Sequence, residues 1–133
     1  MKSLLLIPVL FSALLTSAAF AGERTAICKA PYQHDGFMEE LRLVLEKKQD
    51  GSRVLWMDTP TPYGIRPYSY DVKVMNCSAN TLNVEAQASG TAQQVVFKSE
   101  DQLGTLTYLD TRGAPQSGIS VTCDLAEIAK ACQ

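Results

Sequence analysis

The residues Thr81-Leu-Asn-Val-Glu-Ala-Gln-Ala88 carry the most regular pattern in this 133-residue chain. Apolar and polar side chains alternate along the segment, which is the period of a β-strand with one face in a core and the other in water. Turn-forming residues lie on both sides, at 78–80 and 89–91. Similar short strands recur through the rest of the chain. The pattern predicts a mainly β protein, a small antiparallel β-sandwich or barrel.

A β-hairpin is predicted earlier in the chain, around Asp50-Gly51. This dipeptide favours a type I′ turn, in which both central residues need a positive φ. With these two residues as the turn, Leu45 faces Trp56, and Trp56 shares a face with the leucines before it. Residues 37–48 also fit a helix, because Glu, Leu, Arg and Lys are good helix formers. The Asp-Gly turn favours the strand interpretation.

Residues 58–71 hold three of the six prolines and three of the five tyrosines. They are predicted to form a long, stiff loop between two strands. Prolines reduce the entropy that a loop loses on binding, and amphipathic side chains suit contact surfaces. The predicted binding residues are Tyr63, Arg66, Tyr68 and Tyr70. The alternative is that these tyrosines only cover one open end of the sheet.

Residues 1–21 have the features of a signal peptide, and residues 22–133 are predicted to form a single secreted β-domain. Lys2 precedes an apolar run, and Ala19-Phe20-Ala21 offers small residues at a cleavage site. The run is shorter than the roughly 20 residues that span a membrane, so no membrane span is predicted. The expected location is the periplasm or the extracellular space.

A short helix is predicted at the C-terminus. Asp124 suits an N-cap, and apolar residues follow at helical spacing, at Leu125, Ile128, Ala129 and Cys132.

Four cysteines in an exported chain predict two disulfides, involving Cys28, Cys77, Cys123 and Cys132. The predicted helix carries Cys132 about 10 Å from its start, too far to reach Cys123. Cys132 should therefore pair with Cys28 or Cys77. Of these two arrangements, we prefer Cys28–Cys132 together with Cys77–Cys123.

Little in the sequence points to catalysis. His34 is the only histidine, and there is no Cys-x-x-Cys or Gly-x-Ser-x-Gly motif. We expect a protein that is not an enzyme and that has no metal site and no cofactor. The net charge is −2 and basic residues are not clustered, which argues against a nucleic-acid partner.

The sequence thus predicts an exported, disulfide-bonded binding or inhibitor-like protein that acts outside the cytoplasm through its Pro/Tyr-rich loop. A protein or glycan partner is expected. Three alternatives remain open: a small β-barrel that carries an apolar ligand, a hydrolase that uses His34, and a structural envelope protein without a ligand.

Overall fold

The computed structural model of this chain describes residues 22–34 and 36–133. In this part of the chain, eight antiparallel strands form a closed barrel in which each strand pairs with its neighbours in sequence and β8 returns to β1. The prediction of a mainly β fold with a C-terminal helix is confirmed, and the fold is a barrel. The predicted signal peptide, residues 1–21, lies outside the described residues. The elements are β1 (Glu23–His34), β2 (Phe37–Lys47), β3 (Arg53–Thr61), β4 (Gly64–Ser78), β5 (Thr81–Ala88), β6 (Gln94–Glu100), β7 (Leu103–Leu109), β8 (Pro115–Cys123) and α1 (Leu125–Ala131).

The barrel interior is one continuous apolar core. Strand β5 coincides with the alternating segment, and its Leu82, Val84 and Ala86 are buried. Alternate residues of the other strands meet them there, as the two-residue period of a strand requires. The largest fully buried side chains are Phe97, Ile27, Leu41, Leu43, Leu55, Leu82, Leu106, Val84 and Val95.

The turn between β2 and β3 is not the predicted type I′ turn. The Lys48 amide donates to the Ser52 carbonyl at 2.8 Å, and the Gly51 amide donates to the Lys48 carbonyl at 3.0 Å. Gly51 has a φ of 89°, whereas Asp50 keeps a negative φ. These features define a three-residue connection, a type I turn followed by a glycine in the left-handed region.

This turn shifts the strand register by one residue from the predicted one. Leu45 lies opposite Leu55, so Trp56 points to the outside of the barrel and not to the core. A one-residue shift moves a side chain to the other face of a sheet. On the outside, the Trp56 indole donates to Glu46 Oε1 at 2.8 Å, and the Arg24 guanidinium lies 5.1 Å from the centre of its ring.

Both disulfides are present, but the preferred pairing was wrong. Cys28 is bonded to Cys123 and Cys77 to Cys132, which is the other arrangement that the predicted helix allowed. Because β8 returns to β1, Cys28 and Cys123 lie directly opposite each other, with Cα atoms 4.0 Å apart. The exclusion of a Cys123–Cys132 bond is confirmed.

Helix α1 begins as predicted. The Asp124 carboxylate accepts hydrogen bonds from the amides of Ala126 and Glu127, at 3.0 and 3.3 Å. Ile128 is buried against the barrel. Within residues 22–34 and 36–133, no helix is both long and apolar enough to cross a membrane.

Candidate functional site

The proline- and tyrosine-rich segment is a β-hairpin and not the long loop that the sequence predicted. Strands β3 and β4 remain paired up to Thr61 and Gly64, which leaves only Pro62 and Tyr63 as the connection. The prolines misled the prediction because proline lacks an amide hydrogen and is uncommon in paired strands. Here the strands that carry Pro60 and Pro67 are edges, so a missing donor is tolerated.

This hairpin extends beyond the barrel. The pairing of β2 with β3 ends at Asp58, and the pairing of β4 with β5 begins at Tyr70. Residues 59–69 therefore have no neighbouring strand on either side. We call this two-stranded extension the Pro/Tyr ribbon.

The tip of the Pro/Tyr ribbon is held by a threonine. Thr61 Oγ1 accepts a hydrogen bond from the Tyr63 amide at 3.2 Å and donates one to the Gly64 carbonyl at 2.6 Å. Gly64 has a φ of 121°, a conformation that other residues rarely adopt. Together with Pro60 and Pro62, these contacts restrict the backbone of the tip.

Three of the four predicted binding residues lie on the surface of the Pro/Tyr ribbon. Tyr63 at its tip is 99% exposed, and Ile65 beside it is 70% exposed. The guanidinium of Arg66 lies 5.4 Å from the centre of the Tyr68 ring, a cation–π distance. The fourth residue, Tyr70, is only 5% exposed and belongs to the core.

Tyr70 helps to close the end of the barrel below the Pro/Tyr ribbon. Burial raises its pKa, and a hydrogen bond with Tyr108 partly offsets the rise. Burial also raises the pKa of Tyr108, and the nearby phenols of Tyr70, Tyr68 and Tyr32 add to the effect. Tyr108 Oη lies 3.1 Å from the sulfur of Met57. The interpretation of the tyrosines as a cover for one end of the sheet therefore applies to Tyr70.

Sequence reasoning missed Tyr108. It follows Leu106 at a spacing of two on β7, and this spacing places both on the inward face. This alternation is the sequence feature that indicates an inward-facing Tyr108.

A second ribbon rises at the same end of the barrel. The first hairpin, β1–β2, keeps its own pairing up to His34 and Phe37, well beyond its last pairs with the adjacent strands, Lys29 with β8 and Arg42 with β3. Seven large apolar or aromatic side chains are exposed in the described part of the chain, and five are on the two ribbons. These five are Tyr32, Met38, Tyr63, Ile65 and Tyr68.

The region around the single histidine shows no sign of a metal site in the described residues. The backbone of His34 belongs to β1, and Asp35 lies outside the described residues. Among the residues that are described, no three His, Cys, Asp or Glu side chains come together as a metal-binding group would require.

Fold and disulfides together define a class, a small disulfide-bonded β-barrel of the kind found in oxidising compartments outside the cytoplasm. Comparison of the chain with protein-family models, with curated proteins and with solved structures finds no match.

Proposed function

We propose that this protein is an exported binding protein that inserts its Pro/Tyr ribbon into a concave site on a protein partner outside the cytoplasm, as an inhibitor does. One observation carries the proposal: Tyr63, 99% exposed, stands at the tip of a ribbon that projects past the barrel. A large aromatic side chain in water contributes nothing to folding. Aromatic residues and arginine are enriched among the residues that dominate binding energy at protein interfaces.

The shape of the site favours a protein partner over a glycan. A two-stranded ribbon with two residues at its turn is convex, so its complement is a cleft. Small ligands and sugars bind in concave sites, where they are surrounded on several sides. The tip offers no such enclosure, since both Tyr63 and Ile65 are largely exposed.

The tip is also prepared for binding. Thr61 fixes the turn through two hydrogen bonds, and Pro60 and Pro62 restrict the backbone on both sides of it. A segment that is already in its bound conformation loses little entropy on association. Arg66 lies against Tyr68, which orients the guanidinium before a partner arrives.

Binding, and not catalysis or transport, is the role that we propose. The barrel interior is filled by its own side chains, which gives no support to a carrier of an apolar ligand. Within the described residues, the three groups with shifted pKa values are a turn carboxylate, Asp50, and two phenols in the rim, Tyr70 and Tyr108. None of these environments suggests a nucleophile paired with a base.

Site-specific photocrosslinking tests the proposal. A benzophenone amino acid at position 63 is compared with the same group at position 103. Leu103 is also highly exposed, at 72%, but it is the first residue of β7, directly after the turn that follows β6, at the other end of the barrel. Both proteins are exposed to extract from the compartment outside the cytoplasm. We expect a defined protein adduct from position 63 only.

Competition then tests the ribbon itself. Excess unmodified protein should abolish the adduct, whereas a variant with Tyr63→Ala, Arg66→Ala and Tyr68→Ala should not. Equal competition by this variant, or the same adducts from both positions, would refute the proposal. An adduct that contains carbohydrate and no protein would favour a glycan.

A further inference from the structure

The seam between β1 and β8 leaves part of one strand edge without a partner. Only two residue pairs join these strands, Cys28 with Cys123 and Lys29 with Thr122. Strand β8 begins at Pro115, so several of its residues extend past the seam while still paired with β7 on the other side.

The hydrogen bonds at the end of β8 show which of its backbone groups face the open side. The Asp124 amide donates to the Ile27 carbonyl of β1 at 3.0 Å, and the Cys123 amide donates to the Gln102 carbonyl on the β7 side at 2.7 Å. Successive residues of a strand present their backbone groups to alternate sides. Gly118 and Ser120 therefore face the open side, and both are exposed.

Strand β1 does not pair with β8 beyond Lys29. Ile27 and Lys29 face β8, so the next residue of β1 on that side is Pro31. Proline has no amide hydrogen to donate, so Pro31 can offer only its carbonyl to Ser120. Beyond this point, the first hairpin continues as a ribbon whose two strands pair only with each other, and Gly118 has no partner on this side.

The open edge of β8 carries no charged side chain. Exposed edges commonly carry charged side chains, especially lysine, that prevent another strand from pairing. Between Arg112 and Asp124 there is no charged residue. Beside this edge, a cavity of about 370 Å³ is lined by Pro31, Met38 and Thr122 and by the charged residues Lys29, Glu39 and Glu40, and Met38 is 66% exposed.

We propose that the edge of β8 around Gly118 is a second binding site, which takes an extended peptide segment of another protein as an added strand. Only an extended main chain offers donors and acceptors at the spacing that alternate residues of β8 present. Side chains on the outer face of the added strand would contact Met38. This site is separate from the Pro/Tyr ribbon and does not depend on its function.

The probe is a capped seven-residue peptide of alternating valine and threonine with a lysine at each end. Binding is followed by amide hydrogen exchange in the oxidised protein. In the free protein, we expect rapid exchange at Gly118 and protection at Ile119, which faces β7. The peptide should slow exchange at Gly118. Slow exchange at Gly118 without peptide would overturn the proposal.

Substitution at Gly118 tests the edge directly. Gly118→Pro removes an amide hydrogen on the open side and leaves the β7 side intact, so peptide affinity should fall at least about fivefold, the contribution of one hydrogen bond. Gly118→Ala is the matched control, because its Cβ would meet its nearest neighbour at 3.5 Å, an ordinary contact. Tyr63→Ala should also bind the peptide normally. Equal affinity of the proline and alanine variants would refute the proposal.

Two further measurements leave the protein sequence unchanged. N-methylation of alternate peptide amides should abolish binding for one set of amides and preserve it for the other, since only one set faces β8. An equal effect of both sets would argue against strand addition. Self-association of the free protein that Gly118→Pro abolishes would show that a second copy occupies the edge, and would overturn the assignment to a peptide of another protein.

Discussion

Gly104→Ala is the most direct test of how tightly the barrel is packed at its closing disulfide. Gly104 is buried on β7, opposite Val121. A Cβ at this position would lie 3.0 Å from Cys123 Sγ, 3.0 Å from Phe97 Cε2 and 3.1 Å from Val121 Cγ2. None of these atoms can move aside easily, because the sulfur is bonded to Cys28 and the ring is fully buried.

The expected effect combines two opposing contributions. Overpacking of a core costs about 1–3 kcal/mol. Replacing glycine by alanine stabilises a folded protein by about 0.4–1 kcal/mol, because the unfolded chain has fewer conformations. The free energy of unfolding should therefore fall by roughly 1–2 kcal/mol. Gly118→Ala is the matched control on the partner strand, where the same entropy gain comes without a clash.

The assay is urea unfolding of the oxidised proteins, with the free energy taken by linear extrapolation. The Gly104→Ala variant should be less stable than Gly118→Ala by about 1–3 kcal/mol, the cost of overpacking alone. Equal stability of the two variants would refute the close packing of β7 against the disulfide.

Three other changes test different parts of the structure. Replacing Cys28 and Cys123 by alanine opens a link across 95 residues and should lower the free energy of unfolding by about 4 kcal/mol in urea; a loss below about 1 kcal/mol would mean that the seam needs no bridge. The raised pKa of Tyr108 means that the folded protein holds this proton more tightly than the unfolded chain, so this stabilisation is complete below about pH 10 and declines at higher pH. In Tyr108→Phe the decline of the urea midpoint above about pH 10 should be shallower, and parallel declines would contradict the assignment. Asp124→Ala should cost about 1 kcal/mol in the same assay through loss of the N-cap, whereas Asp124→Asn should keep most of it.

Local patterns predicted the elements well. The alternation from Thr81 to Ala88 matched a strand because each of its apolar residues faces a single core. Asp124 followed by an apolar helical face predicted the C-terminal helix, because the N-cap and the apolar face are both local features of the sequence. These features depend on residues close in sequence.

The register of the β2–β3 hairpin could not be obtained in this way. Asp50-Gly51 is compatible with a two-residue turn and with the three-residue turn that forms. The choice depends on which side chains the rest of the barrel buries. Leu55, which is fully buried, is the inward residue opposite Leu45, and this leaves Trp56 outside.

The disulfide pairing and the candidate site required the barrel itself. Cys28 and Cys123 become neighbours only when the last strand returns to the first. In the same way, Pro60 and Pro67 are acceptable in strands only because the adjacent strands end before them. The sequence identified Tyr63, Arg66 and Tyr68 as binding candidates, and it gave no reason to separate Tyr70 from them. The burial of Tyr70 depends on side chains from β7 at the end of the barrel below the Pro/Tyr ribbon.

The connectivity of the barrel has a consequence for the order in which the chain folds. Seven of the eight strand pairs join neighbours in sequence, so each can form soon after its two strands are available. The remaining pair joins β1 to β8, and its cysteines are 95 residues apart. A chain that emerges from its N-terminus must therefore keep one edge of β1 unpaired until nearly all of the sequence has appeared. The bond between Cys28 and Cys123 can form only when β8 has reached β1, so its oxidation follows the closure of the barrel. A chain that already has this bond should refold faster than a reduced one, because β1 and β8 no longer have to find each other.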